Sequence, residues 1–308
     1  MLGRLVEEIV SDAVLEEAHA WLCKRRENYS HNDDVWTVRF SWEEIKPQLR
    51  CQILAGDYSF SALRRIRRDG ECLDIWSALD SLVLKSIAIV LTKHLAPRLS
   101  SRCTHLTGKG GAKGAVREVL DKVPENKFVF RTDVKSYYAS IQHDILFSQL
   151  QRHIDDPRLL SLMWQYMRRV VYDDGLYEDV EQGISLGCPV SPLMGALFLD
   201  VLDQRMEATE LCYVRFMDDW VVLAPTRWKL RKAVRIVNET LAELRVEQHP
   251  DKTFIGRIEK GFDFLGYEIT SPGIEGIAQR TLDSFAKRVT RLYEQGADPI
   301  RIGQYVQR

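Results

Sequence analysis

Tyr213-Val214-Arg215-Phe216-Met217-Asp218-Asp219-Trp220-Val221-Val222-Leu223-Ala224 sets two apolar runs on either side of an acidic pair. The runs Leu211–Phe216 and Trp220–Ala224 predict the two strands of a hairpin, with Asp218 and Asp219 at its bend. Aspartate is common in turns because its side chain bonds the nearby backbone, so a bare pair of acids says little. Here Trp220 follows the pair, where a tight turn prefers Gly or Asn, so turn chemistry does not account for both acids. A hairpin tip brings adjacent carboxylates to a sheet edge, where they can hold a hard divalent cation. A third carboxylate, Asp133, closes the short β-rich run Lys127–Thr132. With that strand beside the hairpin, three acids converge on one sheet face. Two magnesium ions about 4 Å apart, held by such acids and by substrate phosphates, stabilise the attacking and leaving oxygens of an in-line phosphoryl transfer. Manganese is the alternative ion.

Around this centre the chain runs to 308 residues, 45% of them hydrophobic and 28% charged, a globular composition that excludes a disordered or collagenous chain. Its 43 basic and 44 acidic residues leave a formal net charge of −1. A whole-protein basic field is therefore absent, and a nucleic-acid partner must be gripped by local patches. The apolar stretch near Leu82–Leu91 is interrupted by Lys85 and Ser86, so no segment is predicted to span a bilayer. Glu7, Glu8, Asp12, Glu16 and Glu17 exclude a signal peptide. Six cysteines without C-x-x-C spacing predict neither a zinc site nor a disulfide framework, and fit a cytoplasmic location with no membrane partner.

Three- and four-residue apolar spacing predicts a helix over residues 1–28, and further helices around Trp42–Leu54 and Leu73–Leu95. Between the first two, Val35–Phe40 alternates. Gly108, Gly110, Gly111 and Gly114 form a loop leading into a helix; without G-K-[ST] spacing it is no P-loop. Helices are also predicted near His143–His153, Leu159–Val170, Leu193–Met206, Trp228–Leu244 and Arg280–Gln295, and a strand pair over Gly261–Thr270. This order predicts an α+β architecture with helices on one sheet face.

Five segments in order, FRTDVKSYYASIQHDIL, GISLGCPVSPLMGALFLDVLD, YVRFMDDWVVLA, HPDKT and GFDFLGYEI, resemble the bacterial reverse transcriptases, most closely the group II intron-like branch. The resemblance covers roughly residues 63–270. It implies a right-hand polymerase: an N-terminal helical extension over 1–62, fingers over 63–126 and 141–182, a ferredoxin-like palm over 127–140 and 183–270, and a short helical thumb over 271–308. It implies that Asp133, Asp218 and Asp219 are the catalytic, metal-binding carboxylates, with the Val134 carbonyl as a further ligand. Tyr138 matches the aromatic gate that leaves no room for a 2′-hydroxyl, and Tyr137 beside it reads as core. Lys252 matches the motif lysine that approaches the triphosphate, and Phe264-Leu265-Gly266 the hairpin that grips the primer.

The sequence also departs from the family. In the loop before Ser191-Pro192 the usual Pro and Gln are Ser185 and Leu186, with Gly183 and Gly187 kept, so contact with the incoming nucleotide is altered. In the fingers, Glu71-Cys72-Leu73 replaces Arg-Pro-Leu, leaving the cluster Arg64, Arg65, Arg67 and Arg68 as the source of triphosphate contacts, Arg67 and Arg68 foremost. Other basic patches are Lys109–Lys113, whose lysines are placed on the template, Arg168-Arg169 and Arg227–Arg235. The implied function is RNA-directed DNA synthesis from a primer in a mobile-element or phage-defence setting. An RNA template and a DNA product are the partners, together with a dedicated non-coding RNA and a partner protein or self-association. Template-independent or protein-primed synthesis, and a catalytically idle RNA-binding scaffold, are the alternatives.

Overall fold

The computed structural model describes residues 5–68 and 71–306; the side chains of Arg68 and Glu71, and so the contact expected of Arg68, lie outside the described residues. The chain opens with helices α1 (Leu5–Ile9), α2 (Asp12–Arg25), α3 (Val35–Phe40) and α4 (Trp42–Ala55). The single helix expected over the first 28 residues is thus broken at Val10-Ser11. The alternating stretch is also helical, because Val35 and Val38, three apart, face inward while Trp36 stacks on Phe40, four apart, with ring centroids 6.1 Å apart.

Strands β1 (Leu63–Arg68) and β2 (Glu71–Ile75) follow, then α5 (Ala78–Leu95). The expected helix over 73–95 therefore begins five residues late. Ser77 caps it by accepting from the Asp80 amide at 3.0 Å. Helix α5 is buried on nearly every side and forms the axis of the larger core. The glycine loop leads into α6 (Gly111–Lys122), and β3 (Phe128–Thr132), α7 (Tyr137–Ser140), α8 (His143–Gln151) and α9 (Pro157–Met167) come next. A hairpin of β4 (Val170–Asp173) and β5 (Leu176–Asp179) precedes α10 (Ser191–Phe198) and α11 (Asp200–Glu207). Then come β6 (Cys212–Phe216), β7 (Asp219–Ala224), α12 (Arg227–Glu243), β8 (Phe254–Arg257), β9 (Phe262–Phe264), β10 (Tyr267–Thr270), β11 (Gly273–Ile277), α13 (Gln279–Glu294) and α14 (Pro299–Val306).

Among the described residues the strands form three sheets, ordered β2-β1-β4-β5, β6-β7-β3-β8 and β11-β10-β9. The second, antiparallel throughout, is the one that positions the site. Its strands are apolar on both faces. Phe130, Tyr213, Trp220 and Val222 join the larger core on the α12 side, whereas Val129, Val214, Val221 and Leu223 pack with Val116 and Val119 of α6. Helices therefore cover both faces rather than one, as the unbroken run Val221-Val222-Leu223-Ala224 requires: a half-exposed strand would alternate. No helix among the described residues is long and apolar enough to cross a membrane.

Candidate active site

The hairpin forms where the acidic pair predicted it. Phe216 pairs with Asp219 across a two-residue turn of Met217 and Asp218, and Met217 takes the left-handed conformation, φ 56°. On the other side of β7, Thr132 pairs with Trp220, so Asp133, next along the chain, stands across from Asp219. Residues paired in this way have Cα atoms about 4.5–5.5 Å apart. The structure thus brings Asp133, Asp218 and Asp219 to one end of the sheet. Val134 is buried beside them and bridges Gln248.

Among the described residues, two cations meet these acids. Lys252 Nζ pairs with Asp133 Oδ2. Arg131, two residues before Asp133 and so on the same face of β3, is 7% exposed. Its Nε stands 3.5 Å from Asp219 Oδ1, an ion pair too long for a hydrogen bond, and its Nη2 lies 3.1 Å from Asp263 Oδ2. Its Nη1 donates to the Lys252 carbonyl at 2.9 Å. Burial pushes the Asp219 carboxyl up to about 7, with Asp133, Asp218 and Asp263 adding repulsion against the attraction of Arg131. Burial, and then Asp133, also raises Asp218. Asp133 Oδ1 and Asp219 Oδ1 are buried without a hydrogen-bond partner. Unpartnered buried carboxylate oxygens are costly, and hard oxygen donors of this kind suit a divalent magnesium-type ion.

Asp218 faces a cavity of about 570 Å³ lined also by Leu73, Asp74, Tyr138, Arg169 and Leu186. Tyr138 forms part of its wall, stacked on the buried Tyr137 with ring centroids 5.5 Å apart. The loop opposite is held from below. Trp76 Nε1 donates to Ser185 Oγ at 3.0 Å, and Ser191 Oγ donates to the Ser185 carbonyl at 2.5 Å. Gly183 has φ +83°, and a Cβ there would sit 2.8 Å from the Ala139 backbone, so only glycine lets the loop close on the tyrosine turn. Leu186 is 71% exposed and Gly187 is left-handed at the loop crest.

Phe264 is fully buried in β9, and Leu265-Gly266, both at positive φ, turn the chain into β10 beside Asp263. The other nucleic-acid candidates lie elsewhere. Arg67 is paired with Asp173 and Asp174, and Arg65 with Asp74 and Glu178, and neither lines the cavity. Lys109 Nζ donates to the carbonyls of Leu99 and Ser100 at 2.8 and 3.2 Å, and Lys113 is exposed on the first turn of α6. The cation that does line the cavity is Arg169, whose buried Nε has no hydrogen-bond partner. In the sequence it reads only as half of the basic pair Arg168-Arg169. Arg131 was missed altogether, although its place two residues before Asp133 on a strand was a usable signal.

An antiparallel sheet that carries an acidic hairpin tip beside an open cavity, among mixed helix and sheet, is a polymerase-like fold. Apo telomerase from Candida tropicalis, truncated from the C-terminal domain, shares it with a TM-score of 0.50 over 63% of this chain and 44% of that one; at 14% identity the likeness shows the fold alone. Residues 77–269 match the reverse transcriptase (RNA-dependent DNA polymerase) family, and the chain belongs to it. That family makes DNA on RNA and uses divalent metal ions. Protein YkfC of Escherichia coli strain K12 is 24% identical over 266 residues, 72% of this chain and 70% of that protein. An uncharacterized 91 kDa protein in the cob intron of Schizosaccharomyces pombe is 25% identical over 156 residues, 49% of this chain and 19% of that protein.

Proposed function

We propose that the protein copies RNA by adding deoxynucleotides to a primer 3′ end, at Asp133, Asp218 and Asp219, in a mobile-element or phage-defence setting. The observation that carries this reading is the strand register that puts Asp133, Asp218 and Asp219 at one end of the sheet, with Asp133 and Asp218 acting on Asp219 and with Asp218 on the wall of a cavity of about 570 Å³. Asp133, Asp218, Asp219 and the Val134 carbonyl would hold two divalent ions, which would supply neutralisation of the charge that builds on the reacting oxygens and phosphates. The chain's own residues do the rest. Lys252 pairs with Asp133 and orients it, and its ammonium stands ready for the triphosphate. Arg169 is the cation of the cavity wall and meets the phosphates there. The Tyr138 ring occupies the space beneath the sugar and excludes a 2′-hydroxyl. Phe264, Leu265 and Gly266 seat the primer end.

Primer extension on an RNA template with magnesium tests the proposal. Asp218→Asn should lose extension by roughly a thousandfold while leaving the fold intact, the scale seen when a preorganised electrostatic group is removed from an active site. An undiminished Asp218→Asn would end the reading. Leu186, apolar and 71% exposed in the cavity, favours template-independent addition as a second reading. A homopolymer made from a single deoxynucleotide without template would support it.

A further inference from the structure

Met217 is the residue whose left-handed backbone aims Asp218, and neither of its peptide groups is left to the hairpin alone. Its N–H donates to His105 Nδ1 at 3.0 Å. Its carbonyl accepts from Arg215 Nη1 at 2.7 Å. His105 comes from a distant part of the chain, in the loop between α5 and α6. Residues 102–104 are zipped along the free edge of β6, with Arg215 N donating to the Arg102 carbonyl at 2.9 Å and Thr104 N to the Arg215 carbonyl at 2.8 Å. That strand-like segment delivers the imidazole to the turn.

The ring's protonation follows from its partners. A peptide N–H can only donate, so Nδ1 must carry a lone pair. The Pro192 carbonyl, 3.0 Å from Nε2, can only accept, so Nε2 must carry the proton. The Cys103 thiol, 3.4 Å from Nδ1, is a second donor to the same lone pair. The imidazole is thus a neutral two-ended connector, and burial, which holds its pKa down to about 4, keeps it so. Arg215 is held as firmly. It is fully buried, donates through Nε to Asp203 Oδ1 at 2.7 Å and through Nη2 to the Ala196 carbonyl at 3.2 Å.

We propose that His105 is a positioning residue for the reaction: by accepting from the Met217 amide opposite Arg215, it holds the acidic turn in its left-handed form and so fixes where the Asp218 carboxylate points. A non-glycine residue at positive φ persists only where its surroundings over-determine it, and these two hydrogen bonds from opposite sides do so. The inference rests on Asp218 being catalytic, as proposed above.

Replacing His105 by Asn or Gln separates its two ends. Asn keeps an acceptor near the Nδ1 position and loses the Pro192 donor, whereas Gln keeps a donor near Nε2 and withdraws the acceptor. The Asn variant should extend primers within about threefold of wild type, and the Gln variant should lose about tenfold in kcat with a smaller change in deoxynucleotide KM, the worth of one hydrogen bond left unmade in the reacting arrangement. In a Met217→Gly background, where the left-handed turn needs no support, the Gln variant should lose at most about twofold relative to Met217→Gly alone. Equal losses for Asn and Gln, or the same loss in both backgrounds, would overturn the inference, because a purely structural histidine predicts that. A dead Asp218→Asn alongside such a result would spare the catalytic reading, and an active Asp218→Asn would remove it, so the two failures are distinct.

Discussion

Asp219 should destabilise the metal-free protein, and removing its charge should stabilise it. Its carboxyl is raised from 3.8 to about 7 by burial and by three neighbouring carboxylates, an attraction to Arg131 notwithstanding. A shift of that size corresponds to about 4 kcal/mol against the ionised form, at 1.36 kcal/mol per pH unit. Relaxation of an acidic turn whose Asp219 side chain retains 21% exposure cuts this to about half, roughly 2 kcal/mol. The sign follows from linkage. Below pH 3.8 both folded and unfolded chains carry a neutral carboxyl and nothing is lost; stability falls as the pH rises from there to about 7, and the full penalty applies above it.

Asp219→Asn should therefore raise Tm by about 3 °C in EDTA at pH 8, taking about 1.5 °C per kcal/mol from an unfolding entropy of about 2.1 cal/mol/K per residue over 308 residues. The gain should shrink toward zero near pH 4. Magnesium should raise the wild-type Tm at pH 8 and raise that of the Asn variant much less, since a divalent ion relieves the same repulsion. Thermal denaturation followed by circular dichroism at the two pH values, with and without magnesium, measures all three terms. An Asn variant no more stable than wild type at pH 8, or one whose gain persists at pH 4, would refute the electrostatic reasoning.

Two further outcomes follow from the packing. Arg215→Met leaves the fully buried Asp203 with only the Tyr213 hydroxyl donating to it and should cost roughly 3–5 kcal/mol in urea denaturation, part of it recovered by adding Asp203→Leu. Tyr138→Ala should raise ribonucleotide use relative to deoxynucleotide use by roughly tenfold or more in single-nucleotide extension, because the ring proposed to fill the sugar's 2′ side would be gone; unchanged discrimination would remove Tyr138 from the gate.

What could be read from the sequence was whatever local pattern and chemistry express together. The hairpin around Asp218 and Asp219 and the strand ending at Asp133 carry apolar runs long enough to declare themselves, and the structure has β6, β7 and β3 there. The first sheet was illegible for a physical reason. Leu63-Arg64-Arg65-Ile66-Arg67-Arg68 has no alternation, and it is tied in place by ion pairs to Asp74, Asp173, Asp174 and Glu178, of which Asp173 lies in a strand, β4, that pairs with it only in space. The same ion pairs explain why a cluster that looks like a free basic patch does not line the cavity. His105 left no trace either. Its partners, Pro192 and Met217, are 87 and 112 residues away, and a lone histidine in a glycine-rich loop has no periodicity to betray it.

The charges at the sheet end explain how so acidic a cluster survives in the folded chain. Asp133, Asp218, Asp219 and Asp263 act on one another there, and the cations in contact with them are Lys252 and Arg131. Arg215, though near, is committed to Asp203. By formal charge, four carboxylates against two cations leave two negative charges in excess, the charge of one divalent ion, and fewer where Asp219, raised to about 7, is protonated. The two cations are also not equivalent in what they leave open. Arg131 approaches Asp219 and Asp263 from within the sheet and is itself buried, so it holds the acids in place from behind. Lys252 retains 35% exposure and binds only one oxygen of Asp133, leaving Oδ1 unpartnered. A fixed cation against Asp219 and Asp263, with Asp133 Oδ1 left unpartnered, is an arrangement that lowers the cost of folding the site without filling it. The excess negative charge sits at the tip, where a divalent cation would offset it, and Arg215, anchored on Asp203 and bonded to the Met217 carbonyl, holds the turn against that repulsion.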